Sequence, residues 1–71
     1  MEYAFYAEQI YRLKEGIVQA RVLPAQEAEA LGYEDGYTAQ KPEGRLYVDG
    51  FDSEAAARYY LEGLTDCKIM N

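Results

Sequence analysis

Tyr3-Ala4-Phe5-Tyr6-Ala7-Glu8-Gln9-Ile10-Tyr11-Arg12-Leu13-Lys14-Glu15-Gly16 can be read in two ways, and the choice sets the architecture of the chain. As a helix, Tyr3, Tyr6, Ala7, Ile10 and Leu13 form a stripe, with Phe5 off it. As a strand, Tyr3, Phe5, Ala7, Tyr11 and Leu13 share one face, with Gln9 out of phase. Four aromatics favour a strand, because rings suit a pleated surface; Ala, Glu, Gln, Leu and Lys favour a helix. Lys14-Glu15-Gly16 tips the balance. It suits a three-residue hairpin loop with Gly in the left-handed position, although it would also end a helix. We take the segment as a strand and keep the helix as its alternative.

Outward from there, Ile17, Val18, Val22 and Leu23 mark a second strand over residues 17–23. Residues 24–31 read as a short helix. Pro24 suits a first turn, Glu27 and Glu29 lie near the positive end of the dipole, and Gly32 stops it. Two turns do not stand alone, so Ala28 and Leu31 must dock on something. Residues 37–41 and 45–49 pair across Pro42-Glu43-Gly44, which supplies a fixed φ and then a residue tolerant of positive φ. Leu46 and Val48 face one way; Arg45, Tyr47 and Asp49 face the other.

Residues 52–63 form the clearest helix. Asp52 or Ser53 caps it, and Phe51 is placed to pack on Ala56. Ala56, Ala57, Tyr60, Leu61 and Leu64 share a face, while Glu54, Arg58 and Glu62 pair on the other. Gly63 is read as the left-handed residue that ends it. A last strand covers residues 67–70. The order is ββαββαβ: an α+β domain with a mainly antiparallel sheet and two helices on one face. The second face of the sheet would then meet water or a partner.

At 71 residues the chain is expected to be one acidic domain, 1–71, with a net charge of −6. Nearly half of it is apolar and 14% aromatic, too much of both for a disordered acidic chain. Cys67 stands alone, which excludes an internal disulfide framework and a Cys-based zinc site and favours a reducing compartment, the cytoplasm. No secretory leader is visible, and no apolar run approaches the ~20 residues of a membrane helix. There is no His, hence no ordinary general base at neutral pH. Asp49-Gly50-Phe51-Asp52-Ser53-Glu54 resembles a calcium loop only superficially; it lacks the spacing and terminal Glu of an EF-hand. A chain this small leaves little room for a substrate cleft. The reading is a non-enzyme, with no catalytic residue, cofactor or metal.

Residues 1–21 are balanced, with Glu2, Glu8 and Glu15 against Arg12, Lys14 and Arg21, so the whole −6 lies in residues 22–71. Such a surface repels nucleic-acid phosphate and attracts a basic partner. Eight tyrosines are the other excess. A thin core cannot shelter eight hydroxyls, and tyrosine suits half-wet interfaces. Tyr47 on the outward face of its strand is one candidate contact. Tyr33, Glu34, Asp35 and Tyr37 form another, two aromatics around two acids that could receive Lys or Arg by charge pairing and cation–π contact.

Size, acidity and exposed aromatics resemble small phage-encoded inhibitors such as anti-CRISPR and anti-restriction proteins. Ile10-Tyr11, Lys14-Glu15-Gly16 and Ala20-Arg21-Val22, followed by Phe51-Asp52-Ser53 and Tyr60 with Gly63-Leu64, are similar in order to a type I-F anti-CRISPR family. The likeness touches only about a quarter of the chain through generic motifs; residues 23–50 do not match, and Leu23 stands where that family has an acid. The resemblance implies an α+β protein that binds the backbone subunits of a CRISPR surveillance complex, with Tyr11 as a contact. The expected function is a non-enzymatic inhibitor, encoded by a phage or mobile element, that binds a basic surface of a nucleic-acid-handling host protein in the cytoplasm. It would touch neither nucleic acid nor membrane directly. The alternative is a housekeeping interaction module or homodimer with tyrosines at the self-interface.

Overall fold

The computed structural model describes residues 3–71. The first segment is a strand. β1 (Phe5–Arg12), β2 (Ile17–Pro24), α1 (Ala25–Ala30), β3 (Thr38–Lys41), β4 (Gly44–Phe51), α2 (Glu54–Glu62) and β5 (Cys67–Ile69) follow in the expected ββαββαβ order. The five strands make one sheet ordered β3-β4-β1-β2-β5. All pairings are antiparallel except β2 with β5. The N-terminal strand is thus the centre of the sheet.

Hairpin chemistry sets the local turns. Gly16, at φ 69°, closes the β1–β2 turn, and its N–H bonds to the Arg12 carbonyl at 2.9 Å. Pro42 and Glu43 form the β3–β4 turn between paired Lys41 and Gly44. Pro24 ends β2 and caps α1 without a side-chain bond; the Ala25 N–H bonds instead to the Ala4 carbonyl at 2.9 Å, tying the helix to the segment before β1. Ser53 caps α2, its Oγ accepting from the Ala56 N–H at 3.1 Å.

The two helices lie on opposite faces of the sheet, which corrects the expectation that both cover one. Alternation along β1 decides it. Ala7 points to one side, into a cluster with Ala20, Val22, and Ala57 and Leu61 of α2. Tyr6 points to the other, into a cluster with Leu46, Val48, and Ala28 of α1. The core is therefore two thin half-cores, and β1 is lined with apolar side chains on both faces.

Three smaller expectations also change. Gly63 ends α2 in a right-handed conformation (φ −82°), and the left-handed residue after the helix is Asp66 (φ 58°). Phe51 packs its ring on Tyr60, with centroids 5.4 Å apart. Ala56 is exposed, so the buried stripe of α2 narrows to Ala57 and Leu61. No helix among the described residues is long and apolar enough to cross a membrane.

Candidate functional site

Seven of the eight tyrosines reach the surface to some degree; only Tyr6 is buried. The α1–β3 connection gathers the ones that matter. It is a held loop: Tyr33 N–H bonds to the Ala28 carbonyl, Gly36 N–H to the Val48 carbonyl at 2.8 Å, and Val48 N–H to the Tyr37 carbonyl at 2.9 Å. Gly36 takes φ 85°, which lets the chain turn at Asp35-Gly36. The Asp35 carboxylate accepts from the Gly50 N–H at 2.8 Å, fastening the turn to β4.

Beside this loop lies a groove of ≈ 550 Å³ lined by Tyr3, Tyr6, Glu29, Gly32, Tyr33, Glu34 and Asp35. Among the described residues three acids and three tyrosines line it, and no base does. Tyr3 meets Tyr6 edge to face at 6.1 Å. Tyr37 lies against the far side of Tyr33, centroids 5.6 Å apart. Tyr6 is 7% exposed, and among the described residues its hydroxyl has no hydrogen-bond partner. Among the described residues no buried side-chain oxygen or nitrogen is left unpaired, so the Tyr6 oxygen keeps contact with solvent, and Tyr6 lines the groove. Burial raises its pKa, and the nearby charges of Glu29, Asp35 and Glu34 raise it further.

An ion pair with one buried partner supports the Tyr33 wall. Glu8, on the α1 face of β1, is 8% exposed. Arg21 from β2 donates to both its oxygens, at 2.7 and 3.2 Å, and the Tyr33 hydroxyl donates to Oε2. Burial pushes the Glu8 carboxyl up, but the bonds from Arg21 and Tyr33 and the charges of Arg21 and Lys41 more than reverse this and hold it below its ordinary value. Tyr33 moves the other way. Burial and donation to an anion push its hydroxyl up to about 12.

The sequence-derived candidates therefore divide. Tyr33, Glu34 and Asp35 line the groove and Tyr37 backs it. Tyr11 and Tyr47 lie on the opposite face of the sheet, beyond the cover of α2, because they alternate with Ile10 and Leu46. Their rings meet edge to face at 5.1 Å, and the Arg45 guanidinium stands 6.0 Å above Tyr47. That second hollow, of ≈ 510 Å³, is lined by Tyr11, Leu13, Gln40, Arg45 and Tyr47, with no acid. A cation of the protein's own already sits on its tyrosine, so it does not join the acidic site.

Tyr3, Tyr6 and Glu29 were not among the candidates. The alternation that set Phe5 and Ala7 on one face put Tyr6 on the other, and that was the available signal. Cys67 is half-buried, and burial pushes its thiol up, which leaves it a poor nucleophile. Among the described residues no three His, Cys, Asp or Glu side chains are close enough to hold a metal ion. Comparison with protein-family models, with curated proteins and with solved structures found no match.

Proposed function

We propose that the chain works by binding: its acidic, tyrosine-lined groove receives a basic segment of a partner protein. One observation carries this reading. Glu29, Glu34 and Asp35 share a single groove with Tyr3, Tyr6 and Tyr33, and no Lys or Arg among the described residues lines it. Such a surface combines a negative potential, which speeds encounter with a basic patch, with rigid rings that supply contact area at low entropic cost. The protein surfaces most densely basic are those that hold nucleic-acid phosphate. Occupying one would displace the nucleic acid. The form of the reading we favour is thus a non-enzymatic inhibitor of a nucleic-acid-handling host protein, of the anti-CRISPR or anti-restriction kind, encoded by a phage or mobile element and acting in the host cytoplasm.

The test is affinity capture from a host lysate with the wild-type chain and with a Glu34→Lys, Tyr37→Ala double variant. A nucleic-acid-handling protein should be retained at low salt and released by high salt or by competing DNA. The variant should lose it while keeping its thermal midpoint. Retention of no such protein, or equal retention by the variant, overturns the reading.

A further inference from the structure

The shape of the groove narrows what its occupant can be. Its three carboxylates do not stand close enough together to share one metal ion. They are spread around an open groove of ≈ 550 Å³. The walls are aromatic faces and edges from Tyr3, Tyr6 and Tyr33. Besides the Tyr33 hydroxyl, which is engaged by Glu8, the remaining polar groups are the hydroxyls of Tyr3 and Tyr6; Tyr6 is 7% exposed, and among the described residues its oxygen makes no hydrogen bond. A site with separated anionic acceptors, neutral hydroxyl acceptors and aromatic lining asks for a flat cation with several donors pointing apart.

We infer that the groove is an arginine-recognition pocket, which admits one arginine side chain of the partner protein, stacks its guanidinium on the tyrosine rings and bonds it to the carboxylates and to the Tyr6 hydroxyl oxygen. This rests on the basic-partner reading above and makes it specific. Guanidinium is planar, carries five N–H donors in a fixed fork, and is weakly hydrated, so it stacks on a ring while bonding at its edge. Lysine offers a compact ammonium that satisfies one carboxylate and keeps its water; it cannot span from a carboxylate to the Tyr6 oxygen while lying flat on a ring. Tyr6 is the specificity-determining residue, because it is the acceptor that only the fork reaches.

The experiment titrates the isotopically labelled protein by NMR with three short capped peptides, identical but for a central arginine, lysine or citrulline. Citrulline keeps the shape of arginine without the charge. The arginine peptide should shift amides at Gly32, Glu34 and Asp35 and bind more tightly than lysine; citrulline should not bind. Tyr6→Phe keeps the ring in the core, so its thermal midpoint should hold. It should weaken arginine binding about tenfold, the loss expected for one bond to a charged group, and close most of the arginine–lysine gap. Equal binding of arginine and lysine, unchanged by Tyr6→Phe, overturns the arginine assignment and leaves the basic-partner reading standing. Binding of neither peptide overturns both.

Discussion

Replacing Glu8 by Gln removes a charge while keeping a side chain of the same shape. In the native protein both Glu8 oxygens accept, from Arg21 and from Tyr33. Glutamine retains one acceptor and turns the other into a donor facing at least one Arg21 N–H. Breaking a fully buried pair costs about 3–5 kcal/mol, while an exposed pair is worth about 0.2–1 kcal/mol. Here the carboxylate side chain is 10% exposed and the arginine side chain 46%. Arg21 can return to water, so the cost falls between the limits, at about 2 kcal/mol. A domain of this length holds about 4–10 kcal/mol in total, and the thermal midpoint should fall by about 8–16 °C. The pH dependence separates charge from shape. The folded Glu8 pKa is lowered from its ordinary 4.5, so its stabilisation is fully present above that pH. It is lost as pH falls through the lower folded value, where wild type and Glu8→Gln should converge. Thermal melts from pH 7 to pH 2 measure the gap. A gap that stays constant on acidification, or no gap at pH 7, refutes the assignment of Glu8 as a charged anchor.

Two further outcomes follow from the same face. Gly50→Ala would ordinarily help a strand by about 0.5–1 kcal/mol, but the added Cβ would collide with the Tyr3 ring; the Tyr3–Tyr6 ring NOE should disappear and peptide binding should weaken, and an intact NOE would refute the placement of Tyr3. Tyr33, whose hydroxyl is pushed up to about 12, should be among the last tyrosines to ionise in an ultraviolet titration; its contribution to stability is fully present below its ordinary 10.0 and is lost as pH rises toward about 12, and Tyr33→Phe should remove one late-ionising group, with an unchanged curve counting against the Glu8 contact.

Local chemistry was legible in the sequence and long-range pairing was not. Ser53, Ala57, Leu61 and the Pro42-Glu43-Gly44 turn announce α2 and the β3–β4 hairpin, because caps, periodicity and turn residues act within a few positions. The central strand was harder. Gln9 broke the alternation, yet it is 1% exposed, its amide donating to the Ala7 carbonyl and to Asp49 at 3.0 Å each. A buried amide with partners is compatible with a core, and the partner lies forty residues away. The faces failed for a related reason. Placing Leu46 and Val48 on the side of Ile10 rather than Ala7 is a matter of register, and a one-residue slip reverses it. The site was half visible for the same cause: Tyr33, Glu34 and Asp35 are neighbours in sequence, while Tyr3, Tyr6 and Glu29 arrive through the sheet and α1.

The opposed helices also bear on which surfaces are left for a partner. Self-association was attractive on the premise of one bare sheet face. Instead α2 covers one face through Ala57 and Leu61 and α1 the other through Ala28. The uncovered corner at Tyr11 and Tyr47 already carries Arg45. Moving one helix across also explains why the acids can act together. α1 and the loop after it are tied to the sheet by the Ala25 and Gly36 N–H groups and by the Tyr33 hydroxyl on Glu8, and that docking brings Glu29, Glu34 and Asp35 to one groove. Like charges brought together this way repel, so the arrangement costs folding energy unless a cation shares the groove. The cheapest surface for a small acidic domain would scatter them. The docking of α1 that buries Ala28 thus also concentrates charge, and the same contact that completes the half-core builds the groove a basic partner would enter.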